Sequence, residues 1–149
     1  MRAVVQRVSK ASVRVAGATC GEIGAGILAL VSVGVDDAEA DATALAEKVA
    51  GLRIFRDDAG LMNRSVLDVH GEILLVSQFT LHGDARKGRR PSFVSAAGET
   101  PARELFELVG RCIERTGTRT QYGEFGADME VELVNDGPVT ILLDTKRVF

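Results

Sequence analysis

Cysteine and histidine are scarce in this 149-residue chain, with only two of each. Cys20 and Cys112 lie far apart and form no C-x-x-C pair, so the sequence supports neither a disulfide framework nor a zinc site. We therefore expect two reduced thiols. His70 and His82 have no second histidine or paired acid at ligand spacing, so we expect no metal site and no cofactor.

Long apolar runs are also lacking. No stretch reaches the ~18 apolar residues that a transmembrane helix needs, and the first residues, 1–7, carry charges where a signal peptide would be apolar. We expect a cytoplasmic protein with no membrane association.

Positive charge and aromatic residues are in short supply. The net charge is −3 and aromatic residues make up 5% of the chain, which disfavours a protein that coats nucleic acid through phosphate contacts or base stacking. The exception is one segment that concentrates basic residues, namely Arg86, Lys87, Arg89 and Arg90.

What the chain does contain is enough apolar sequence, 46%, for one core. We predict a single domain over residues 1–149 of the α/β class, a mixed and largely antiparallel, barrel-like sheet covered by two helices. Alternation predicts an opening hairpin, 2–8 and 11–15, that turns at Ser9-Lys10. One predicted helix runs from Asp37 to Leu52. The second begins after an N-cap at Thr100, with Pro101 at its first helical position.

Two short motifs carry the chemistry. Residues 73–81 predict a long strand that ends in Ser77-Gln78-Phe79-Thr80-Leu81, which places Gln78 and Thr80 on one face. Thr80 and His82 would share that side, so a Thr-His pair is one hypothesis for a nucleophile. The second motif, Asn135-Asp136-Gly137-Pro138-Val139-Thr140, sets a Gly-Pro bond between two predicted strands. That bond is either a plain hairpin turn or a candidate cis peptide.

These two motifs resemble the signature motifs of the D-aminoacyl-tRNA deacylases. Other segments resemble that family in the same order, so the likeness covers residues 1 to about 143. They are Gln6-Arg7-Val8, Ala11-Ser12-Val13, residues 21–26, Arg53-Ile54-Phe55, Arg90-Pro91-Ser92-Phe93 and residues 125–129.

The resemblance implies a cytoplasmic homodimer that proofreads translation by chirality. Such an enzyme hydrolyses the ester between a D-amino acid, or glycine mischarged on tRNA-Ala, and the terminal adenosine of tRNA. It also implies that Gly137-Pro138 is a cis dipeptide that reaches into the pocket of the other subunit, held by Arg7, with its carbonyl groups facing the substrate's α-carbon.

The resemblance further implies a set of site residues. The catalytic set is Ser77, Gln78, Phe79, Thr80, Gly137 and Pro138. Main-chain N–H groups around Phe79 and Thr80 would stabilise an oxyanion, and Gln78 would position the terminal ribose. Because no convincing base lies beside Thr80, we favour water attack assisted by the substrate's 2′-hydroxyl over a threonine nucleophile. The weaker substrate-binding set is Arg7, Phe93, Phe125 and Met129, with residues 86–90 near acceptor-stem phosphates.

Three other functions compete with this hypothesis. A related deacylase with a trans Gly-Pro corner would clear an L-amino acid from mischarged tRNA. A noncatalytic nucleic-acid-binding protein is a second alternative, which the net acidity disfavours. A general ester or thioester hydrolase is a third, and the absence of G-x-S-x-G weakens it.

Overall fold

The structure is a computed structural model that describes residues 1–148. The elements follow one another as β1 Arg2–Val15, β2 Ala18–Ile23, β3 Gly26–Ser32, α1 Glu39–Gly51, β4 Phe55–Arg56, β5 Met62–Arg64, β6 Glu72–Ser77, a 3₁₀ turn Phe79–His82, α2 Glu99–Glu114, β7 Arg119–Tyr122 and β8 Glu130–Asp144. No helix within residues 1–148 is long and apolar enough to cross a membrane.

Strand β1 organises the main sheet. One edge of β1 pairs with β3 along its first half and with β2 along its second half, while β8 pairs with the other edge over nearly the whole length, all antiparallel. Strands β3, β6 and β7 then continue the sheet in parallel. The two outer strands, β2 and β7, lie close together. A Cβ added to Gly21 of β2 would lie only 2.6 Å from the Tyr122 carbonyl oxygen of β7. The sheet is therefore mixed and nearly closed.

Both faces of this sheet are buried. Alternate residues of β3 and β6, among them Ile27, Ala29, Ile73 and Leu75, pack against α1 and α2 in the larger core. The residues between them, Leu28, Leu74 and Val76, pack in a smaller core with Val8 and Val13 inside the curl of the sheet. Such two-sided burial is typical of parallel central strands with continuous apolar runs. The expected fold class, a barrel-like sheet covered by two helices, is confirmed.

The predicted opening hairpin is wrong. Strand β1 continues through Ser9 and Lys10, because Lys10 stays paired with Val134 of β8. The alternation of polar and apolar residues breaks at Ser9-Lys10 for two reasons. The pairing of β1 with β8 shifts register on either side of Val8, and the neighbour of β1 on its other edge changes there from β3 to β2. Pairing with β8 thus keeps Ser9-Lys10 extended, although the local sequence is typical of a turn.

The C-terminal corner is a bulge inside one strand. Val8 pairs with Asn135 and Gln6 with Thr140, so β1 advances two residues (8 − 6) where β8 advances five (140 − 135). The Asn135 side chain bridges the three extra residues, since its Oδ1 accepts from the Val139 N–H at 2.7 Å and its Nδ2 donates to Thr140 Oγ1 at 3.0 Å.

Two further boundaries differ from the prediction. Strand β6 ends at Ser77, and the predicted strand residues beyond it turn into the 3₁₀ segment. Helix α2 begins at Glu99 with Gly98 at its N-cap, so Thr100 is not the cap. Pro101 still falls in the first turn, where its missing N–H costs no intrahelical bond.

Candidate active site

A cavity of about 480 Å³ opens at the carboxyl ends of β3 and β6. The start of α2 and the segment 125–131 complete its wall. Its lining mixes polar and apolar side chains, including Ser32, Ser77, Gln78, Phe79, Phe125 and Met129. A concave, partly apolar site with a few polar groups suits a small organic ligand or the end of a larger one.

The 3₁₀ turn Phe79–His82 forms the rim of this cavity. Before it, the Gln78 N–H donates to the Val31 carbonyl at 2.8 Å, and within it the Leu81 N–H donates to the Gln78 carbonyl at 3.1 Å. The intervening N–H groups, of Phe79 and Thr80, have no acceptor among residues 1–148. The Phe79 side chain is itself 59% exposed. The rim therefore carries two adjacent main-chain donors that a ligand oxygen can take.

The Thr80 hydroxyl lies on the exposed side of the turn. The Gln78 side-chain amide donates to Thr80 Oγ1, so the structure brings these two motif residues together as expected. The hypothesis of a Thr80–His82 pair on one strand is wrong, because the turn sends His82 into the interior, where it is 7% exposed. Within residues 1–148, no basic side chain is hydrogen-bonded to Thr80.

His82 belongs instead to a buried hydrogen-bonded group. Its Nδ1 lies 2.6 Å from Ser32 Oγ, and Ser32 Oγ donates to the Phe79 carbonyl at 3.3 Å. Burial lowers the pKa of His82 below its usual 6.5, and the positive charges of Arg2 and the N-terminal amine lower it further, against the opposing effects of Asp37 and Asp144. The imidazole is therefore neutral at pH 7.

Phe93 reaches the turn from the following loop. Its ring packs edge-on against Phe79 at a centroid distance of 5.2 Å, and a Cβ on Gly83 would lie 2.9 Å from it. An isolated antiparallel bridge between Asp84 and Ser92 narrows this loop. Phe93 therefore lies beside the first motif, and its expected part in substrate binding stays a prediction.

Phe125 and Met129 both line the cavity. Phe125 packs on Phe106 of α2 at 5.7 Å, and the Arg103 guanidinium lies 4.6 Å from the centroid of its ring. Arg103 also pairs with Glu99 at 2.9 Å. An aromatic ring on one wall of the cavity suits a flat group such as a base.

The Gly137-Pro138 segment lies outside this cavity. Its peptide bond is cis, and the adjoining Asp136 is held by Arg7, which is only 3% exposed. Arg7 Nε donates to the Asp136 carbonyl at 3.0 Å and lies 3.1 Å from its carboxylate, while Nη1 donates to the Ile54 carbonyl at 2.5 Å. The expected association of Arg7 with the second motif is therefore present.

Within one chain the two motifs are well separated. Arg2 donates to the carbonyl of Leu81, the last residue of the first motif, at 3.0 Å, whereas Arg7 holds the second motif. The two arginines are five positions apart on β1, which is about 17 Å at ~3.3 Å per residue. Gly137 and Pro138 are also absent from the residues that line the cavity.

The basic segment is mostly exposed. Arg86 pairs with Asp84 at 2.6 Å and holds the pKa of that carboxyl well below its usual range, while Lys87, Arg89 and Arg90 point to solvent. Within residues 1–148, no group of three or more His, Cys, Asp or Glu side chains is arranged to hold a metal ion.

Sequence reasoning missed Ser32 and Arg103, and it considered His82 only as a partner of Thr80. Ser32 is the last residue of the apolar strand β3, as Ser77 is of β6. This shared position at a strand end is the sequence signal that could have identified Ser32 as a site residue. The other two depend on tertiary contacts, because His82 becomes buried only through the 3₁₀ turn and Arg103 reaches Phe125 across more than twenty residues of sequence.

Comparison with known proteins agrees with this geometry. The sequence model of a family described as D-Tyr-tRNA(Tyr) deacylase matches residues 4–144. A protein named D-aminoacyl-tRNA deacylase from Anaeromyxobacter dehalogenans strain 2CP-C is 58% identical over 149 residues, 100% of both chains. One of the same name from Koribacter versatilis strain Ellin345 is 59% identical over 149 residues, again 100% of both chains.

Two solved structures share the fold. One named c-Myc DNA Unwinding Element Binding Protein has a TM-score of 0.92 and 39% identity and covers 97% of this chain and 99% of its own. A second, described as a probable eukaryotic D-amino acid tRNA deacylase, has a TM-score of 0.82 at 16% identity, covers 95% of this chain and 97% of its own, and supports the fold alone.

The cavity has free main-chain donors at its rim, and the matching proteins are named as deacylases. The protein is therefore an enzyme of the hydrolase class. The chain belongs to the D-Tyr-tRNA(Tyr) deacylase family. The family resemblance inferred from the two sequence motifs is confirmed.

Proposed function

We propose that this protein hydrolyses the ester bond of D-aminoacyl-tRNA, and of glycyl-tRNA mischarged on tRNA-Ala, releasing the free amino acid and tRNA in the cytoplasm. Family membership over residues 4–144 supports the substrate class. The observation that carries the chemistry is the pair of unengaged N–H groups of Phe79 and Thr80 at the rim of the cavity.

The proposed reaction depends on an oxyanion site and uses water, not a side chain, as the nucleophile. A substrate carbonyl placed at the rim accepts hydrogen bonds from the Phe79 and Thr80 N–H groups, which stabilise the negative charge that develops as water attacks. The terminal 2′-hydroxyl of the substrate assists that water. The C–O ester bond then breaks, the tRNA oxygen takes up a proton, and the amino acid leaves with the water oxygen in its carboxylate.

Two features favour water over Thr80 as the attacking group. An unactivated threonine hydroxyl is a weak nucleophile, and Thr80 Oγ1 accepts a hydrogen bond from Gln78 in place of one to a base. In this arrangement Gln78 and Thr80 position the terminal ribose, Ser77 shapes the wall beside them, and Phe93 caps the turn. Phe125 and Met129 hold the adenine ring in the cavity.

Rejection of L-amino acids is assigned to Gly137-Pro138. A main-chain corner reads the α-carbon without reading the side chain, which suits an enzyme that must accept many D-amino acids. Gly137 has φ of +134° and no room for a side chain, since an added Cβ would lie 2.8 Å from Arg7 Nη2. The buried Arg7 side chain keeps this corner in place.

The active enzyme is a homodimer in which each site takes its Gly137-Pro138 corner from the partner chain. The separation of the two motifs within one chain supports this arrangement. An apolar strip supplies a surface for it: Leu30, Val4 and Leu142 lie side by side across β3, β1 and β8, and Leu142 is 59% exposed. Each chain acts as a single domain in this dimer.

The first experiment compares D-tyrosyl-tRNA, L-tyrosyl-tRNA and glycyl-tRNA as substrates of the purified protein with a chelator present. We expect rapid release of D-tyrosine and glycine while L-tyrosine stays attached. Survival of all three esters, with and without added divalent metal, would contradict the proposal. Cleavage of L-tyrosyl-tRNA alone would favour the L-editing relative.

Thr80→Val separates the two chemical mechanisms. The substitution removes the hydroxyl and keeps the shape of the side chain and the Thr80 N–H. We expect the variant to keep a measurable kcat with a raised KM. Loss of nearly all activity in a variant with an unchanged circular dichroism spectrum would assign the nucleophile to Thr80.

Subunit mixing tests the shared site. Gln78→Ala and Gly137→Ala are each expected to inactivate the homodimer, but a mixed dimer carries one site that lacks both changes. After a 1:1 exchange, half the dimers are mixed and have one intact site of two, so about a quarter of wild-type activity should return. No recovery in a mixture shown by native mass spectrometry to contain mixed dimers would contradict a cross-subunit site.

A nucleic-acid-binding function is the second candidate, because the 39% identical structure bears the name of a DNA-binding protein. The net charge of −3 counts against it, since phosphate-driven binding needs a basic face. Tight, strongly salt-dependent binding of duplex DNA by a protein that leaves D-tyrosyl-tRNA intact would favour this function.

A further inference from the structure

The buried pair Ser32–His82 has no part in the chemistry described above, yet it contacts the turn that supplies the proposed oxyanion donors. His82 is 7% exposed and Ser32 is 1% exposed. Hydrogen bonds join His82 Nδ1 to Ser32 Oγ at 2.6 Å and Ser32 Oγ to the Phe79 carbonyl at 3.3 Å. A chain of two bonds thus leads from a buried imidazole to the main chain at the rim.

The direction of this chain follows from the number of protons available. A serine hydroxyl has one proton to donate, and because the Phe79 carbonyl can only accept whereas His82 Nδ1 can donate or accept, we assign that proton to the carbonyl. Ser32 Oγ must then accept from His82, so Nδ1 carries the imidazole proton. The other nitrogen, Nε2, faces the main chain of Gly34, where a Cβ would come within 2.9 Å of it.

The Phe79 carbonyl belongs to the same peptide group as the Thr80 N–H. The peptide group is planar and trans, so its C=O and N–H point in opposite directions. A hydrogen bond that holds the carbonyl toward Ser32 in the interior therefore turns the Thr80 N–H outward. This N–H is one of the two that have no acceptor among residues 1–148.

We infer that His82, acting through Ser32, is a positioning residue that fixes the Phe79–Thr80 peptide so that the Thr80 N–H faces the substrate carbonyl. The inference rests on the proposed function, because it assigns a task to a group that supports the proposed oxyanion site. Other bonds also restrain the turn: the 3₁₀ geometry directs the His82 N–H at the Phe79 carbonyl, Arg2 donates to the Leu81 carbonyl at 3.0 Å, and Ser95 Oγ donates to the His82 carbonyl at 3.1 Å. The Ser32 hydroxyl is the side-chain donor that reaches the Phe79 carbonyl.

The inference predicts a loss in kcat with little change in KM. Ser32→Ala removes the bond to the carbonyl but leaves the Thr80 N–H in the chain, so we expect kcat on D-tyrosyl-tRNA to fall about tenfold, less than the ~10²–10³-fold loss when an oxyanion donor is deleted. KM should stay within about twofold, because the ground state binds mainly through groups elsewhere in the cavity. Ser32→Thr, which keeps a hydroxyl, should retain most of kcat.

His82 variants test the second link. His82→Phe keeps the ring and loses the donor, so it should show the same fall in kcat as Ser32→Ala, and the double variant should be no worse than either. His82→Asn places an amide donor near the position of Nδ1 and should recover much of kcat. His70→Asn is the matched control, since His70 is exposed with φ of +52°, a conformation that asparagine tolerates.

A spectroscopic measurement gives an independent readout. Long-range ¹H–¹⁵N spectra of the wild-type protein should show the His82 ring protonated at Nδ1 and bare at Nε2. The Nε2–H tautomer would overturn the assigned direction of the chain, and unchanged kcat in folded Ser32→Ala would overturn the positioning role. If His82→Phe fails to fold, Ser32→Ala and His82→Asn still decide the matter.

These outcomes are distinct from failure of the proposed function. If the wild-type protein leaves D-tyrosyl-tRNA intact, the deacylase proposal itself is wrong. If the wild-type protein is active while Ser32→Ala, His82→Phe and the His70→Asn control all match it, only the role of the Ser32–His82 pair is refuted. A rise in KM at constant kcat would also refute it, because that pattern reports lost ground-state binding.

Discussion

Replacing Arg7 by methionine should destabilise the protein far more than the same change at Arg14. Both arginines lie on β1 and both pair with acidic residues of β8. The Arg7 side chain is 4% exposed, whereas that of Arg14 is 42% exposed. Methionine keeps the length of the arginine stem and removes the guanidinium, so the pair of variants isolates what burial adds.

The expected magnitude follows from the bonds that Arg7 makes. Its guanidinium donates to two main-chain carbonyls, those of Ile54 and Asp136, and hydrogen bonds of a charged group contribute about 1.5–3 kcal/mol each. The Asp136 carboxylate is 59% exposed, so the ion pair itself adds little. Methionine recovers part of the loss by removing a buried charge. We expect a net loss of about 3 kcal/mol.

Thermal and urea unfolding at one fixed protein concentration measure this difference. For a domain of this size ~1 kcal/mol shifts Tm by about 2–4 °C, so Arg7→Met should melt about 6–12 °C below wild type. Arg14→Met, which breaks exposed pairs worth less than ~1 kcal/mol, should melt within about 3 °C of it. Equal shifts for the two variants would refute the reasoning that the buried guanidinium anchors the Gly137-Pro138 corner to the core.

Three further outcomes are expected. Gly26→Ala should abolish folding, because its Cβ would lie 2.0 Å from the Glu72 carbonyl oxygen, while Gly24→Ala, with nothing within 4 Å, should express and melt like wild type. Gly137→Ala should lower kcat/KM on D-tyrosyl-tRNA at least tenfold and should also lower Tm, since the added Cβ would lie 2.8 Å from Arg7 Nη2 at a φ of +134°; full activity in the folded variant would contradict its assigned role. Because the pKa of His82 lies below the usual 6.5, the unfolded chain binds the proton more readily, so stability should fall as the pH drops from 7 to 5. His82→Asn should flatten that fall, and an unchanged slope would contradict it.

The sequence predicts the barrel-like sheet and its two helices because those depend on local patterns. The apolar runs at 27–33 and 73–81 identify β3 and most of β6 directly. The errors occur where a distant partner overrides the local pattern. Ser9-Lys10 stays extended because β8, more than a hundred residues later in the sequence, pairs beside it.

The candidate site divides in the same way. Phe125 and Met129 line the cavity, Phe93 packs against Phe79 and Arg7 holds Asp136, while their part in substrate binding stays a prediction. The burial of His82 follows from the turn at Phe79, which residue spacing on a strand does not predict. The contact between His82 and Ser32 joins elements fifty residues apart, and single-sequence periodicity carries no information on such a pair.

The pairing of β1 with β8 also bears on how the protein is made. During synthesis β1 can pair with β2 and β3 soon after they leave the ribosome. Arg2, however, can bond to Asp144 only after another 142 residues have been added. Until then one whole edge of a 14-residue strand stays open to other chains. The sheet closes only after β8 has been synthesised, so the open edge of β1 is a site at which a chaperone could bind the nascent chain.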